Sequence, residues 1–285
     1  LRDKTGQGFD FTRQIPNLAF SALTRVPFLG TALGIGSMFQ QTPEQENFMK
    51  NIYSDEEYQN YEDRFFKGKN FTKAELIEVF KVAQRIHKLT GGIYDISISP
   101  LVELWGFGLS LPRVDIPSID EISAKRLLVG FDSIIIDEKN NAILKSNTRS
   151  FDLSSLGKGY AVDVISDELK NMGVSNFLFE IGGEIFASGV PAQDRPWKVA
   201  VRSPFPDTSD ISKIFSLSEV AIATSGDYHN FFEHQNIRYS HIIDPVTGFP
   251  VQRDLVSATV ISNNAMIADA FATALILLGS EGAIA

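Results

Sequence analysis

The residues best suited to chemistry lie near the end of the chain, on a stretch that is otherwise apolar. Positions 263–279 read NNAMIADAFATALILLG, which begins at a capping residue and ends at glycine, so the pattern predicts a buried helix. On this helix Asp269 and Thr273 lie four residues apart and share one face. Burying a lone carboxylate costs roughly several kcal/mol unless a partner compensates its charge. We predict a hard cation bound by oxygen ligands, Mg²⁺ in particular, with a capping or salt-bridged Asp269 as the alternative.

A second chemically distinctive stretch, residues 151–189, combines a polar turn, a helical pattern and two apolar runs. The turn at 152–159 contains small residues and Lys158, and it opens an amphipathic segment, 160–172, that Gly173 closes. The amides at a helix N-terminus, the helix dipole and the Lys158 ammonium all favour negative charge. The arrangement therefore suits a phosphate-bearing ligand, although an ordinary strand–turn–helix connection with a glycine cap has the same pattern.

Three other features have side chains or backbone suited to ligand contact. His241 lies where a predicted strand runs into a Pro-Gly turn, so its imidazole is placed at a strand end. Gly182 and Gly183 form a glycine turn between the two apolar runs of the second stretch. Trp105 and Phe107 lie on an aromatic, glycine-spaced segment, where they either stack on a flat ring or fill the core.

An alternative chemistry, serine acyl transfer, has a partial match in the chain. Enzymes of the penicillin-recognising type use Ser-x-x-Lys, then Tyr-x-Asn, then Lys-Thr-Gly. In that order the chain has Ser155-x-x-Lys158, Tyr228-His229-Asn230 and Val246-Thr247-Gly248. Val246 stands where a cationic Lys should bind the substrate carboxylate, and no oxyanion hole can be argued from the sequence. We therefore set this chemistry aside.

The hydrophobic pattern of the whole chain predicts an α+β fold. Helical periodicity predicts further helices at 72–89, where Thr72 and Glu75 match a capping box, and at 118–130. Strands are predicted at 133–137, 142–145, 176–180, 184–188, 197–201, 214–217, 220–224, 239–244 and 257–262. Runs of strands with a few long helices favour α+β over regular βαβ winding. We expect one domain at 71–285, with an N-terminal segment, 1–70, of unclear structure packed on it.

Composition excludes several classes of protein. The 285 residues carry a net charge of −9, and Lys and Arg are scattered, so we expect no nucleic-acid partner. The chain has no cysteine, and hence no disulfide, thiolate nucleophile or zinc–thiolate site. It begins at Leu1 rather than Met, so we expect a fragment or a processed form whose signal peptide or lipid-anchoring cysteine is not visible.

Seven short motifs occur in order between residues 71 and 279. They are Gly91-Gly92-x-Tyr94-Asp95, Pro100-Leu101-Val102-x-Leu104-Trp105-Gly106-Phe107-Gly108, Asp152-Leu153-Ser154-Ser155-x-Gly157-Lys158-Gly159-Tyr160-Ala161-Val162-Asp163, Glu180-Ile181-Gly182-Gly183-Glu184, Thr224-Ser225-Gly226-Asp227-Tyr228, His241-Ile242-Ile243-Asp244-Pro245-x-Thr247-Gly248 and Ala268-Asp269-Ala270-x-Ala272-Thr273-Ala274. Each motif alone is weak. Together, in this order, they resemble the FAD:protein FMN transferase family, the ApbE-like flavin transferases.

The resemblance implies a reaction and a set of site residues. Such an enzyme binds FAD and Mg²⁺, cleaves the pyrophosphate, and attaches FMN through a phosphoester to a Thr or Ser hydroxyl of an acceptor protein. The implied metal ligands are the Ser155 backbone carbonyl, the Asp269 carboxylate and the Thr273 hydroxyl. The implied FAD-binding residues are Ile93, Tyr94, Asp95, Lys158, Gly182, Gly183, His241 and Ile243. Asp269 and His241 are the candidate catalytic residues, and Asp269 is placed to accept the proton of the acceptor hydroxyl.

Two alternative functions use the same ligand-binding residues. One is a Mg²⁺-dependent FAD pyrophosphatase, in which water replaces the acceptor hydroxyl. The other is a non-catalytic flavin-binding protein. The second is favoured if the N-terminal departure from the family pattern disables acceptor docking, because Phe66 of the 61–66 segment stands where the family has Asn.

The resemblance also implies a location and a partner. The expected location is the periplasm, or the outer face of the inner membrane, with an anchor that this chain does not show. The expected acceptor is a flavoprotein, such as a subunit of a membrane redox complex. The chain ends at Ala285, before the final strand usual in the family, so we expect a truncated C-terminus.

Overall fold

The structure is a computed structural model that describes residues 73–108, 113, 115–140, 142–146, 148–191, 195–204, 211–228 and 230–284. The predicted N-terminal segment, 1–70, lies outside these residues, and so do Phe66 and the capping residue Thr72.

The described residues combine α-helices with antiparallel strands. The helices are α1 (Lys73–Leu89), α2 (Ser99–Leu104), α3 (Ile119–Arg126), α4 (Gly157–Asn171) and α5 (Ala265–Ile284). The strands are β1 (Ile135–Asp137), β2 (Ala142–Leu144), β3 (Phe177–Ile181), β4 (Glu184–Ser188), β5 (Trp197–Arg202), β6 (Ile211–Leu217), β7 (Val220–Gly226), β8 (Phe231–His234), β9 (Ile237–Ser240) and β10 (Ser257–Ser262). The predicted α+β class is confirmed.

The central sheet has the strand order β10-β7-β4-β3 and is antiparallel throughout. Gly182 and Gly183 join β3 to β4 with φ of 58° and 103°, and two positive φ values are what a two-residue type I′ turn requires. Because side chains alternate along a strand, Glu184 and Phe186 point to one face of β4 and Ile185 to the other. This register fixes which residues of β4 face the helices.

Helices cover one face of the sheet, and the β5–β6 hairpin covers the other. Phe186 packs with Val162 and Ile165 of α4 in one buried cluster. Ile185 packs with Val199 and Leu217 of the hairpin in another. The residues of β4 are buried along the whole strand, so β4 lies between two apolar layers.

The helices α4 and α5 cross near their N-termini and exchange hydrogen bonds there. Asp163 of α4 accepts from the amides of Ala265 and Met266, at 2.7 and 2.9 Å. Asp269 of α5 accepts from the amide of Gly159, at 3.0 Å. The first amides of a helix have no partner within it, so each carboxylate caps the other helix. A Cβ at Gly159 would lie 2.3 Å from the Ala265 carbonyl oxygen, so glycine is needed for this approach.

Among the described residues, α5 alone is long and apolar enough to cross a membrane by length and composition. Its buried residues instead belong to the core. Met266 and Ala270 pack with Phe80 and Ile86 of α1, whereas Ile276 packs with residues around Val251 and Ala258. The buried helix predicted at 263–279 is confirmed.

An aromatic cluster fills the region between α2 and the β8–β9 hairpin. Trp105 is fully buried, its Nε1–H donates to the Gly248 carbonyl at 2.8 Å, and its ring stacks on Tyr239 at 5.6 Å between centroids. Of the two roles considered for Trp105, the structure shows the core role. Phe107 is partly buried and stacks on Phe232 at 5.8 Å.

The β8–β9 hairpin differs from the prediction. β8 was not predicted, and the strand expected at 239–244 is β9, which ends at Ser240. Gln235 and Asn236 form the connecting turn with φ of 51° and 62°. A turn of this kind normally contains glycine, and its absence here removed the usual signal for a hairpin.

The reciprocal capping predicts the effect of removing the Asp163 carboxylate. Burial raises the pKa of Asp163 to about 6, against the lowering effect of its two amide hydrogen bonds, so the group is ionised at pH 7.5. We expect Asp163→Ala to lower the free energy of unfolding by about 2 kcal/mol, because two helix amides lose their acceptor. Urea unfolding at pH 7.5 measures the change.

The matched control for this experiment is Asp167→Ala, one turn further along α4. Asp167 is exposed, so its replacement should change the free energy of unfolding by less than about 0.5 kcal/mol. Equal losses in the two variants would contradict the capping role of Asp163.

Candidate active site

The turn before α4 places Lys158 in the first turn of the helix. The Asp152 carboxylate accepts from the Ser154 amide at 2.8 Å, which tightens the turn. The Leu153 carbonyl then accepts from the Gly157 amide at 2.8 Å and starts the helix. Lys158 is therefore the second residue of α4, on the turn that faces α5.

Lys158 is the centre of a buried charge cluster. Its Nζ lies 3.4 Å from Oδ1 of Asp269 and 3.4 Å from Oε1 of Glu184, and it donates to the Ser154 carbonyl at 3.3 Å. Glu184 and Asp269 are 2% and 1% exposed. An ammonium has three N–H donors, so each donor of Lys158 faces one protein acceptor. With all groups ionised, the cluster contains one positive and two negative charges.

Burial and mutual charge set the pKa values in this cluster. Burial alone would lower the pKa of Lys158, but the Asp269 and Glu184 carboxylates outweigh it and raise that pKa. Burial raises the pKa of Glu184 to about 8, the Asp269 charge adds to the effect, and Lys158 opposes it. Burial also raises the pKa of Asp269, against the lowering effect of Lys158 and the Gly159 amide. Both carboxylates would be stabilised as anions by a further cation.

Hydroxyl groups lie in two hydrogen-bonded pairs beside these residues. The Tyr94 and Ser155 oxygens are 2.9 Å apart, and burial raises the pKa of the Tyr94 phenol. The Thr273 and Ser225 oxygens are also 2.9 Å apart, which joins α5 to the end of β7. Thr273 lies one turn beyond Asp269 on the same face of α5.

The donor set is suited to a hard cation. No group of three or more His, Cys, Asp or Glu side chains that could hold a metal ion occurs in the part of the chain that the structure describes. A metal would depend instead on mixed oxygen donors, from the Asp269 carboxylate, the Thr273 hydroxyl and the Ser155 carbonyl. Mg²⁺ prefers such ligands, and a cation would stabilise the ionised form of the deeply buried Asp269 carboxylate. The residues present therefore fit Mg²⁺.

His241 lies just after β9, beside Phe107. Its Nδ1 is 3.1 Å from the Asn230 carbonyl oxygen, and a carbonyl only accepts, so Nδ1 carries the proton and Nε2 can accept one. The Phe107 ring lies edge-on to the imidazole, at 6.4 Å between centroids. Burial lowers the pKa of His241, and Asp152 and Lys158 are among the charges that act on it.

The other predicted FAD-binding side chains have internal contacts. The Asp95 carboxylate accepts from the Ser97 amide at 2.8 Å and the Phe131 amide at 3.0 Å, so it stabilises two adjacent turns. The FAD contact expected of Asp95 stays a prediction. Ile243 is buried in the cluster that contains Trp105, and Ile93 is partly buried against a neighbouring cluster.

Gly182 lies against the side chain of Lys158, whereas Gly183 has open space where a side chain would be. A Cβ at Gly182 would lie 3.2 Å from Cδ of Lys158, but one at Gly183 would have no neighbour within 4 Å. Glu184 is the residue that sequence reasoning missed. Its signal was a charged residue at the start of a short apolar run, directly after a glycine turn.

Comparison with known proteins agrees with the resemblance found in the sequence. The ApbE family model matches residues 35–285. The FAD:protein FMN transferase of Vibrio cholerae is 40% identical over 210 residues, which cover 73% of this chain and 62% of that protein. The enzyme of the same name from Escherichia coli K12 is 35% identical over 211 residues, or 73% of this chain and 60% of that protein. The chain thus spans about three fifths of these relatives, with 62% and 60% covered.

Solved structures show the same fold. The flavin transferase ApbE from Vibrio cholerae superposes with a TM-score of 0.68 and 38% identity, covering 74% of this chain and 66% of that one. The ApbE protein from Thermotoga maritima superposes with a TM-score of 0.72 and 26% identity, covering 95% of this chain and 81% of that one. The family model, the curated relatives and the solved structures all indicate the same family, and the chain belongs to the ApbE family.

Proposed function

We propose that this protein transfers FMN from FAD to a Thr or Ser hydroxyl of an acceptor protein. The hydroxyl oxygen attacks the FMN phosphorus, the phosphoanhydride bond breaks, AMP leaves, and a phosphoester forms. The names of the curated relatives support this reaction. The observation that carries it is the buried cluster of Lys158, Asp269 and Glu184, which combines a phosphate-binding ammonium with carboxylates that need a cation.

Lys158 is the residue proposed to bind the pyrophosphate. The amides of Gly157 and Gly159 already donate to the Leu153 carbonyl and to Asp269, so they are not available to an anion in this arrangement. The side-chain ammonium, rather than these amides, is then the main source of positive charge at this helix end. The phosphate site predicted at the helix N-terminus would therefore depend mainly on the Lys158 side chain and less on the backbone amides.

Mg²⁺ is the proposed cofactor, with Asp269, Thr273 and the Ser155 carbonyl as its ligands. When bound, it neutralises negative charge on the phosphoanhydride during bond cleavage. With Lys158, Asp269 and Glu184 all ionised, the cluster carries a net charge of −1, which repels a pyrophosphate. Two added positive charges would change this to +1 and favour binding.

His241 is the proposed acceptor of the hydroxyl proton. Asp269 is the proposed metal ligand, and a carboxylate that binds a cation is a poor proton acceptor, because the cation lowers its pKa. The imidazole is neutral at pH 7, because burial lowers its pKa, and its Nε2 has a lone pair. We therefore assign proton acceptance to His241 and metal binding to Asp269.

Two alternatives use the same residues and are separated by the acceptor. A FAD pyrophosphatase would release free FMN in the absence of a protein acceptor. A non-catalytic flavin-binding protein would bind FAD and leave it intact. Incubation with FAD, MgCl₂ and a candidate acceptor, followed by a fluorescent gel and chromatography of free flavins, separates all three.

The proposed location is the periplasm or the outer face of the inner membrane. The proposed acceptor is a flavoprotein, such as a subunit of a membrane redox complex. Both proposals rest on family resemblance. Fractionation of cells that express the native gene, followed by detection of flavin-labelled proteins in each fraction, tests them together.

The proposed metal site predicts the effect of changing Asp269. Asp269→Asn keeps an oxygen that can accept from the Gly159 amide but removes the negative charge. We expect a folded protein whose Mg²⁺-dependent transfer falls by roughly 100-fold. Thr273→Val should have a milder defect of roughly tenfold, because a neutral hydroxyl is a weaker ligand. In-gel flavin fluorescence of the acceptor measures transfer, and thermal melts verify folding.

Asp167→Asn makes the same chemical change at an exposed position of α4 and serves as the control. It should leave transfer unchanged. Normal transfer by folded Asp269→Asn would overturn the proposed mechanism.

The partly buried imidazole of His241 predicts a pH dependence. Because burial lowers the pKa of His241 from its ordinary value of about 6.5, the imidazole should stay neutral until the pH falls well below about 6.5. The rate of FMN transfer should stay constant over the same range. The unfolded chain binds the proton first as the pH falls, so this group makes the free energy of unfolding decrease in acid. NMR titration of ¹³C-labelled histidines, assigned with His241→Gln, measures the pKa. A measured pKa of His241 at or above about 6.5 would contradict the proposed neutral base.

A further inference from the structure

Glu184 has an unusual position for a carboxylate. It is the first residue of β4, and the β3–β4 register turns its side chain toward the helices, the direction taken by Phe186. Its side chain is 3% exposed. Oε2 is buried and has no hydrogen-bond partner among the described residues. A buried carboxylate oxygen without a donor destabilises the fold, so Glu184 at this place needs a compensating role.

The ion pair with Lys158 is the contact through which Glu184 can act. Lys158 is shared between Glu184 and Asp269 at the same distance, 3.4 Å, and its third donor faces the Ser154 carbonyl. In this arrangement no donor of the ammonium is left for a phosphate. Asp269 is also the strongest proposed metal ligand, so its charge would be taken up by a bound cation.

We propose that Glu184 is a positioning residue that holds Lys158 in place when Asp269 turns from the ammonium to a divalent cation. The exchange frees one N–H of Lys158 for the pyrophosphate, while Glu184 keeps the ammonium at the base of the Gly182 turn. Binding of the cation and of FAD is therefore cooperative, and Glu184 is needed for that cooperativity. This inference rests on the proposed function and adds the residue that couples its two ligands.

A purely structural role for Glu184 makes a different prediction. As a structural counter-ion, it would stabilise the folded protein equally with and without ligands. As a positioning residue, Glu184 affects FAD binding most when the cation is bound, because Asp269 holds Lys158 when no cation is present. The dependence of FAD affinity on Mg²⁺ therefore separates the two roles, and protein stability alone does not.

The test is a titration of the whole chain with FAD, followed by flavin fluorescence, once in EDTA and once in about 5 mM MgCl₂. We expect Mg²⁺ to tighten FAD binding to the unchanged protein by about tenfold or more. In Glu184→Gln this effect should shrink to about twofold or less, with the affinity in EDTA nearly unchanged. Thermal shift with MgCl₂ alone, without FAD, verifies that the variant folds and still binds the metal.

Glu180→Gln is the matched control, because Glu180 lies in the same hairpin but is exposed. It should keep the full effect of Mg²⁺. A double-mutant cycle with Lys158→Met tests whether Glu184 acts through Lys158, since the double variant should then bind FAD no more weakly than Lys158→Met alone.

Each outcome decides the inference. An undiminished Mg²⁺ effect in folded Glu184→Gln, with normal FMN transfer by the unchanged protein, overturns this inference and leaves the proposed function standing. Additive losses in the double-mutant cycle also overturn it. If the unchanged protein binds no FAD, the proposed function and this inference both fail.

Discussion

Because α4 and α5 cross within contact distance at Gly159, the N-terminus of each helix lies beside an aspartate of the other. Asp163 satisfies two amides of α5, and Asp269 satisfies one of α4. The contact therefore determines more than helix packing. It sets the angle and spacing of the two helices, and with them the distance from Lys158 on one helix to Asp269 on the other.

The same contact explains how a buried carboxylate is tolerated before any ligand binds. Asp269 is almost completely buried, yet each oxygen has a donor, an amide on one side and an ammonium on the other. Glu184 is less well satisfied, since one of its oxygens has no donor among the described residues. Both carboxylates have raised pKa values, so a cation between β4 and α5 would stabilise their ionised forms.

Sequence reasoning was most successful where one local rule dominated. The apolar periodicity of α1 and α5, and the glycine turn between β3 and β4, predicted those elements correctly. Prediction from sequence was less successful where contacts between distant residues determine the local structure. The β8–β9 turn adopts positive φ at Gln235 and Asn236 without glycine, so no local signal marked it. The sequence likewise did not indicate that the Asp95 carboxylate bonds to the amides of Ser97 and Phe131, the latter 36 residues away.

The candidate site shows the same division. The composition of α5 indicated that Asp269 needs a partner, and the structure shows the capping and salt-bridged partners considered as the alternative, because Asp269 caps α4 and pairs with Lys158. The metal partner stays a prediction. The sequence did not indicate that Glu184 shares that lysine. Their proximity depends on which face of β4 points to α4, and strand register is a property of the folded sheet.

The length of the two-residue turn at Gly182 and Gly183 determines which residues of β4 face Lys158. An insertion or deletion of one residue there would reverse the alternation of β4, so that the carboxylate of its first position would face the β5–β6 hairpin. The apolar residue brought to face Lys158 would leave the ammonium with one counter-ion instead of two. Chain length at this turn is thus restricted by electrostatics as well as by backbone geometry, and natural variation in loop length should be confined to other connections of the fold.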